Sequence, residues 1–136
     1  MKIAIDNGHG LNTAGKRTPV MPNGKVIHEW EFNYPTAKKL ADILKADGHE
    51  VLMVSDTPND TPLSVRVSLA NKFQADLFVS IHYNAFRGEW GSHGGTETLY
   101  CLNSTNGLRA AQLVQDELMK VVKWRNRGVK ARSDLY

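Results

Sequence analysis

The sequence predicts a single α/β domain, residues 1–136, built on an open, mostly parallel twisted sheet flanked by helices. Three observations carry that expectation. Strand-sized apolar runs alternate along the chain with segments of helical period, the pattern that leads to parallel strands joined by crossover helices. A length of 136 residues suits one domain rather than two. No apolar stretch approaches the roughly 18 to 20 residues that a membrane span needs. Hydrophobic residues at 41% and charged residues at 23% match ordinary globular usage, which excludes intrinsic disorder and collagen-like repeats.

Residues 2–6 alternate in strand fashion and run into Asn7-Gly8-His9-Gly10, where two glycines allow a tight turn beside His9. A loop rich in Gly, Pro, Asn and Thr follows over 11–26. Phe32, Ala37, Leu40, Ala41 and Leu44 share one helical face over about 29–46, with Pro35 in the first turns and Gly48 as the stop. Residues 50–55 predict a second strand and 57–62 a turn. A second helix is expected over 63–73, with Leu63, Val67, Leu69 and Ala70 inward. Residues 76–82 are almost continuously apolar, as in a strand covered on both faces. A fourth strand over 96–102 and a third helix over 107–122 complete the pattern, the helix burying Leu108, Ala111, Val114, Leu118 and Val122.

The single cysteine, Cys101, excludes an internal disulfide and a Cys-rich zinc framework, and its alternating apolar surroundings predict a small buried hydrophobe. Seventeen basic and fourteen acidic residues give a net charge of +3. Lys120, Lys123, Arg125, Arg127, Lys130 and Arg132 form a run without acids, so the rest of the chain is net negative. With Trp124 inside it, that run could contact nucleic acid or another anionic polymer. A solvated helix end followed by a loop is the plainer reading, so no nucleic-acid partner and no membrane are expected. The apolar start of the chain breaks at Asp6, short of the roughly 7 to 15 residues of a signal-peptide core, so no signal peptide is expected.

In open α/β sheets, sites form outside the carboxyl ends of the strands. His9 follows the first strand and His82 closes the third, so two imidazoles stand at one rim. Two histidines, one carboxylate and a water make a common catalytic zinc set. Glu29 and Glu31 both open the first helix and could supply the carboxylate, and His28 is a rival ligand.

Asp6-Asn7-Gly8-His9-Gly10, Glu29 with Asn33, Leu63 with Arg66 and Ala70-Asn71, and the segment from Ala75 through Ser80-Ile81-His82-Tyr83-Asn84 follow one another in an order with a precedent. Together they resemble the zinc-dependent N-acetylmuramoyl-L-alanine amidases, the cell-wall hydrolases of bacterial autolysins and phage endolysins. The likeness is close from Lys2 to about Tyr100 and looser to Tyr136.

The resemblance implies that His9, Glu29 and His82 bind one zinc ion (Zn2+), Glu29 being favoured by its distance from Asn33. It implies scaffold roles for Arg66 and Asn71 and places Glu97 near the groove. Zinc lowers the pKa of water to roughly 7 and polarises a carbonyl, so that an amide becomes open to attack. By resemblance that amide joins N-acetylmuramic acid to L-alanine in peptidoglycan, the expected partner. The wall target would be reached as a phage endolysin released at lysis, or by another secretion route.

In that family a second glutamate on a late strand delivers a proton to the leaving nitrogen. Here no glutamate follows Glu117. The expectation is therefore a chain cut short before the last strand and helix, with the family's acid beyond Tyr136 and activity impaired. Loss of one general acid typically removes about 10²- to 10⁴-fold in rate. Glu97, Glu89 and Glu31 are the internal substitutes, Glu97 first among them as a catalytic candidate. A catalytically silent module that holds zinc and binds peptidoglycan is the alternative function. An exposed sheet edge would invite self-association.

Overall fold

The structure, a computed structural model, describes residues 1–84, 88–92 and 94–135. Tyr136, the last residue of the expected catalytic domain, lies outside them. The chain forms two compact units, Met1–Trp90 and Gly91–Tyr136.

The first unit holds β1 (Lys2–Asp6), α1 (Trp30–Ala46), β2 (Glu50–Met53), α2 (Leu63–Phe73) and β3 (Leu77–Ser80). Its three strands form one parallel sheet in the order β2-β1-β3, with Ile3 opposite Val51 on one side and Leu77 on the other. The two-residue period of β1 decides which helix packs where. Ile3 and Ile5 join Ala37 and Ala41 of α1, backed by Leu40, Leu44, Val51, Met53, Val79 and Ile81. Ala4 points the other way, into a cluster with Val54 and Ala70 of α2. Small side chains on that second face leave room for α2.

The second unit holds β4 (Thr96–Cys101), α3 (Thr105–Val121) and β5 (Asn126–Arg132), with β4 and β5 paired in parallel. Ser104 caps α3, its hydroxyl accepting from the Gly107 N–H at 3.0 Å. The α/β class with parallel strands holds throughout, and the strands are shared between a three-stranded and a two-stranded sheet.

Several local expectations are corrected. The basic run is a strand rather than a helix end plus loop: Arg127, Lys130 and Arg132 lie on β5, a strand beyond the third helix. The cation-rich sequence hid it because strand period there is carried by charged side chains instead of apolar ones. In α2 the buried residues are Arg66 and Ala70, while Leu63 and Leu69 are 51% and 37% exposed. In α3 they are Ala111 and Gln115, while Leu108 and Val114 face solvent. β3 alternates between half-buried and exposed residues, so it is not covered on both faces. Cys101 is exposed because it shares the outward face of β4 with Leu99.

Candidate metal centre

β1 ends at Asp6, and the chain turns at once through Gly8 and His9, both with positive φ (54° and 45°). Gly8 has to be glycine for a second reason. A Cβ there would lie 2.6 Å from Cε1 of His82 and 2.7 Å from the Ile81 carbonyl oxygen. His9 adopts the left-handed region with a full side chain, a conformation that persists only where surroundings enforce it. Two residues past the end of β3, His82 arrives beside it. The two imidazoles meet edge to face, with centroids 4.8 Å apart and planes at 81°.

Glu29, the residue before α1, completes the group. Its side chain is only 2% exposed. Oε1 lies 2.9 Å from Nδ1 of His82 and accepts the backbone N–H of Tyr83, also at 2.9 Å. The amide of fully buried Asn33, one helical turn on, donates to the same oxygen at 3.4 Å. Oε2 is left facing Nε2 of His9 at 3.6 Å. A buried carboxylate is costly unless paired, and here its partners are imidazoles rather than a lysine or arginine. Burial pushes the Glu29 carboxyl up, but the His82 hydrogen bond and the two neighbouring rings outweigh it and leave the pKa below the ordinary glutamate value. Burial also lowers the pKa of His9, with Glu29 opposing and His82 and Lys16 reinforcing the shift. His9 therefore favours the neutral form in which imidazole ligates metals.

One donor atom from each of His9, Glu29 and His82 lies within 4.8 Å of the others. Tetrahedral zinc with bonds of about 2.0 to 2.1 Å needs donors roughly 3.3 Å apart, so the donor types suit that ion and the three side chains would draw closer together to bind it. His82 and His9 side chains are 35% and 20% exposed, which leaves the imidazole side open to solvent.

The rivals do not join this group. Glu31 is exposed and its carboxylate accepts the His28 backbone N–H at 2.6 Å. His28 sits in an isolated bridge with Arg17, and its buried Nδ1 has no partner among the described residues. Glu89 is exposed. Arg66 is buried and donates to Asp6 and Asp60, a scaffold position. Asn71 is exposed, and its carbonyl accepts the N–H of Gln74, the residue that closes α2, at 3.0 Å.

Glu97 on β4 is held by Lys130 at 2.5 Å and Arg127 at 2.9 Å. The Lys130 hydrogen bond, against the opposing effect of burial and with help from Arg127, keeps its carboxyl below the ordinary glutamate value. A proton donor near neutral pH needs the reverse shift. Sequence reasoning missed the Tyr83 N–H as a Glu29 partner, since a backbone group leaves no mark on residue type.

Residues 3–136 match the profile described as N-acetylmuramoyl-L-alanine amidase. The chain belongs to that amidase family. It is 39% identical over 132 residues to the N-acetylmuramoyl-L-alanine amidase LytC of Bacillus subtilis strain 168, covering 94% of this chain and 25% of that protein. It is 34% identical over 136 residues to YqiI of the same organism, covering 98% of this chain and 61% of that one. The amidase-family chain thus spans about a quarter and about three-fifths of these curated relatives. Among solved structures, an N-acetylmuramoyl-L-alanine amidase from Clostridium difficile 630 superposes with a TM-score of 0.79 at 33% identity, covering 96% of this chain and 69% of that one.

Proposed function

We propose that this chain is the catalytic part of a zinc-dependent amidase that hydrolyses the bond between N-acetylmuramic acid and L-alanine in peptidoglycan. The observation that carries the proposal is the His9, Glu29 and His82 group, with donor atoms within 4.8 Å of one another, in a chain of the amidase family. These three residues would hold the metal. Bound zinc would supply Lewis acidity, lowering the pKa of water to about 7 and polarising the amide carbonyl.

The protein's own groups prepare the site. Asn33 and the Tyr83 N–H lock Oε1 of Glu29, fixing the carboxylate between the two rings. Burial lowers the His9 pKa and so favours the neutral imidazole that binds metal. The exposed edge of His82 leaves a face on which a bulky wall glycopeptide can approach. Its site of action is the cell wall, and no helix among the described residues is long and apolar enough to cross a membrane.

A second reading has one specific observation behind it. Glu97, the first internal candidate for proton delivery, is tied as an anion to Lys130 and Arg127. A module that binds zinc and wall glycopeptide without turnover fits that pairing. Incubation with purified cell wall separates the two readings. Amidase action predicts newly freed L-alanine amino groups, abolished by a chelator and restored by zinc. Sedimentation with the wall and no freed amino groups at long incubation would favour the silent module, and neither result would reject both.

A further inference from the structure

Hydrogen bonds close a ring around the backbone of His9. Asp6 Oδ1 accepts the Gly8 N–H at 3.1 Å and Arg66 Nη1 at 2.7 Å. Arg66 Nη2 donates to Asp60 Oδ1 at 2.6 Å, and its Nε donates to the Thr61 carbonyl at 2.7 Å. The other Asp60 oxygen accepts the Thr13 hydroxyl at 2.7 Å, and that hydroxyl accepts the Gly10 N–H at 2.9 Å. The path runs from the amide before His9 to the amide after it through five side-chain hydrogen bonds.

The ring encloses the one site residue whose backbone is strained, at φ 45°. Gly10 presses against the Asp60 backbone so closely that a Cβ would overlap it. Asp6 also accepts the Ser80 hydroxyl at 2.7 Å through Oδ2, two residues before His82. One buried carboxylate thereby references both imidazole-bearing segments. A scaffold needed only to hold α2 on the sheet would not require Arg66 to continue outward to Asp60, nor Thr13 to face both Asp60 and Gly10.

We infer that Arg66, Asp60 and Thr13 are positioning residues for His9, holding its backbone so that Nε2 faces Glu29 before metal arrives. The inference rests on the zinc-binding reading of the site. Outer partners that orient metal ligands typically contribute about 10- to 100-fold in metal affinity. Removing Arg66 would strand the buried Asp6 carboxylate and endanger folding, so the test uses the outer end of the ring.

Zinc affinity of the metal-free chain is measured by competition with a chromophoric chelator for wild type, Thr13→Val and Thr13→Ser. Amide hydrogen exchange at Gly8 and Gly10 and the thermal midpoint are followed in the same metal-free samples. The expected result is about 10- to 100-fold weaker zinc binding and faster Gly10 exchange in Thr13→Val. Thr13→Ser should recover both, with little change in midpoint. Wild-type zinc affinity in Thr13→Val, or a loss that Thr13→Ser does not recover, overturns the inference. If the wild type takes up no zinc, the proposed function fails. The ring is then judged by exchange alone: faster Gly10 exchange in Thr13→Val upholds it, and unchanged protection overturns it.

Discussion

Glu29 binds its neighbours through two differently committed oxygens. Oε1 is saturated by His82, Tyr83 and Asn33, while Oε2 meets only His9 among the contacts described above. Glu29→Gln keeps the shape and removes the charge. Zinc affinity should fall by at least about tenfold, as read by chelator competition, with circular dichroism unchanged. Gly8→Ala acts by sterics. Its methyl would sit 2.6 Å from the His82 ring on a backbone with positive φ, so it should destabilise the protein by about 2 kcal/mol or more in urea unfolding and weaken zinc binding with it. That His9, Glu29 and His82 come together was legible because residue type, strand ends and motif spacing all bear on them. What separates Glu29 from Glu31 physically is burial: one faces Asn33 and the rings, the other turns outward to the His28 N–H. Thr13 and Asp60 were not legible. They sit in loops, and their partnership joins positions 47 residues apart.

At the scale of elements, hydrophobic period located the helices well and their buried faces less well. The expected span of α2 coincides with the observed Leu63–Phe73, yet Arg66 is the polar residue it buries. α3 likewise buries Gln115. Its Oε1 accepts the Thr98 hydroxyl at 2.8 Å, and its Nε2 donates to the Thr96 carbonyl at 3.0 Å and to Asn126 Oδ1 at 2.7 Å. A fully satisfied polar side chain can take an interior position that an apolar count assigns elsewhere. Gln115→Ala should therefore cost about 2 kcal/mol in urea unfolding, since it removes three hydrogen bonds that a buried side chain makes from α3 to β4 and β5. Glu97 makes a pH prediction. Its folded pKa is depressed by Lys130 and Arg127, so its pairing contributes stability that is complete above the ordinary value of 4.5 and is lost as pH falls through the folded pKa. Thermal midpoints of wild type and Glu97→Gln should differ at pH 7 and converge in that acid range. Equal spacing of the two curves at all pH values would show that the ion pairs contribute nothing. β5 went unread because its side chains are mainly cations and small residues, which give no apolar alternation.

For the molecule as a whole, the legible part was the first unit, where short apolar strands and amphipathic helices alternate and the motif residues fall at strand ends. The second unit departs from its expected pattern at β5 and on the buried face of α3, where Gln115 takes an interior place while Leu108 and Val114 face solvent. The functional account depends on the first unit, since His9, Glu29 and His82 all belong to it. The most direct test is the zinc content of chain purified without chelators, by elemental analysis, beside His9→Ala and His82→Ala proteins of native circular dichroism. One zinc per wild-type chain, and far less in both variants, is the predicted result. A zinc-free wild type, or equal zinc in the variants, would contradict the account.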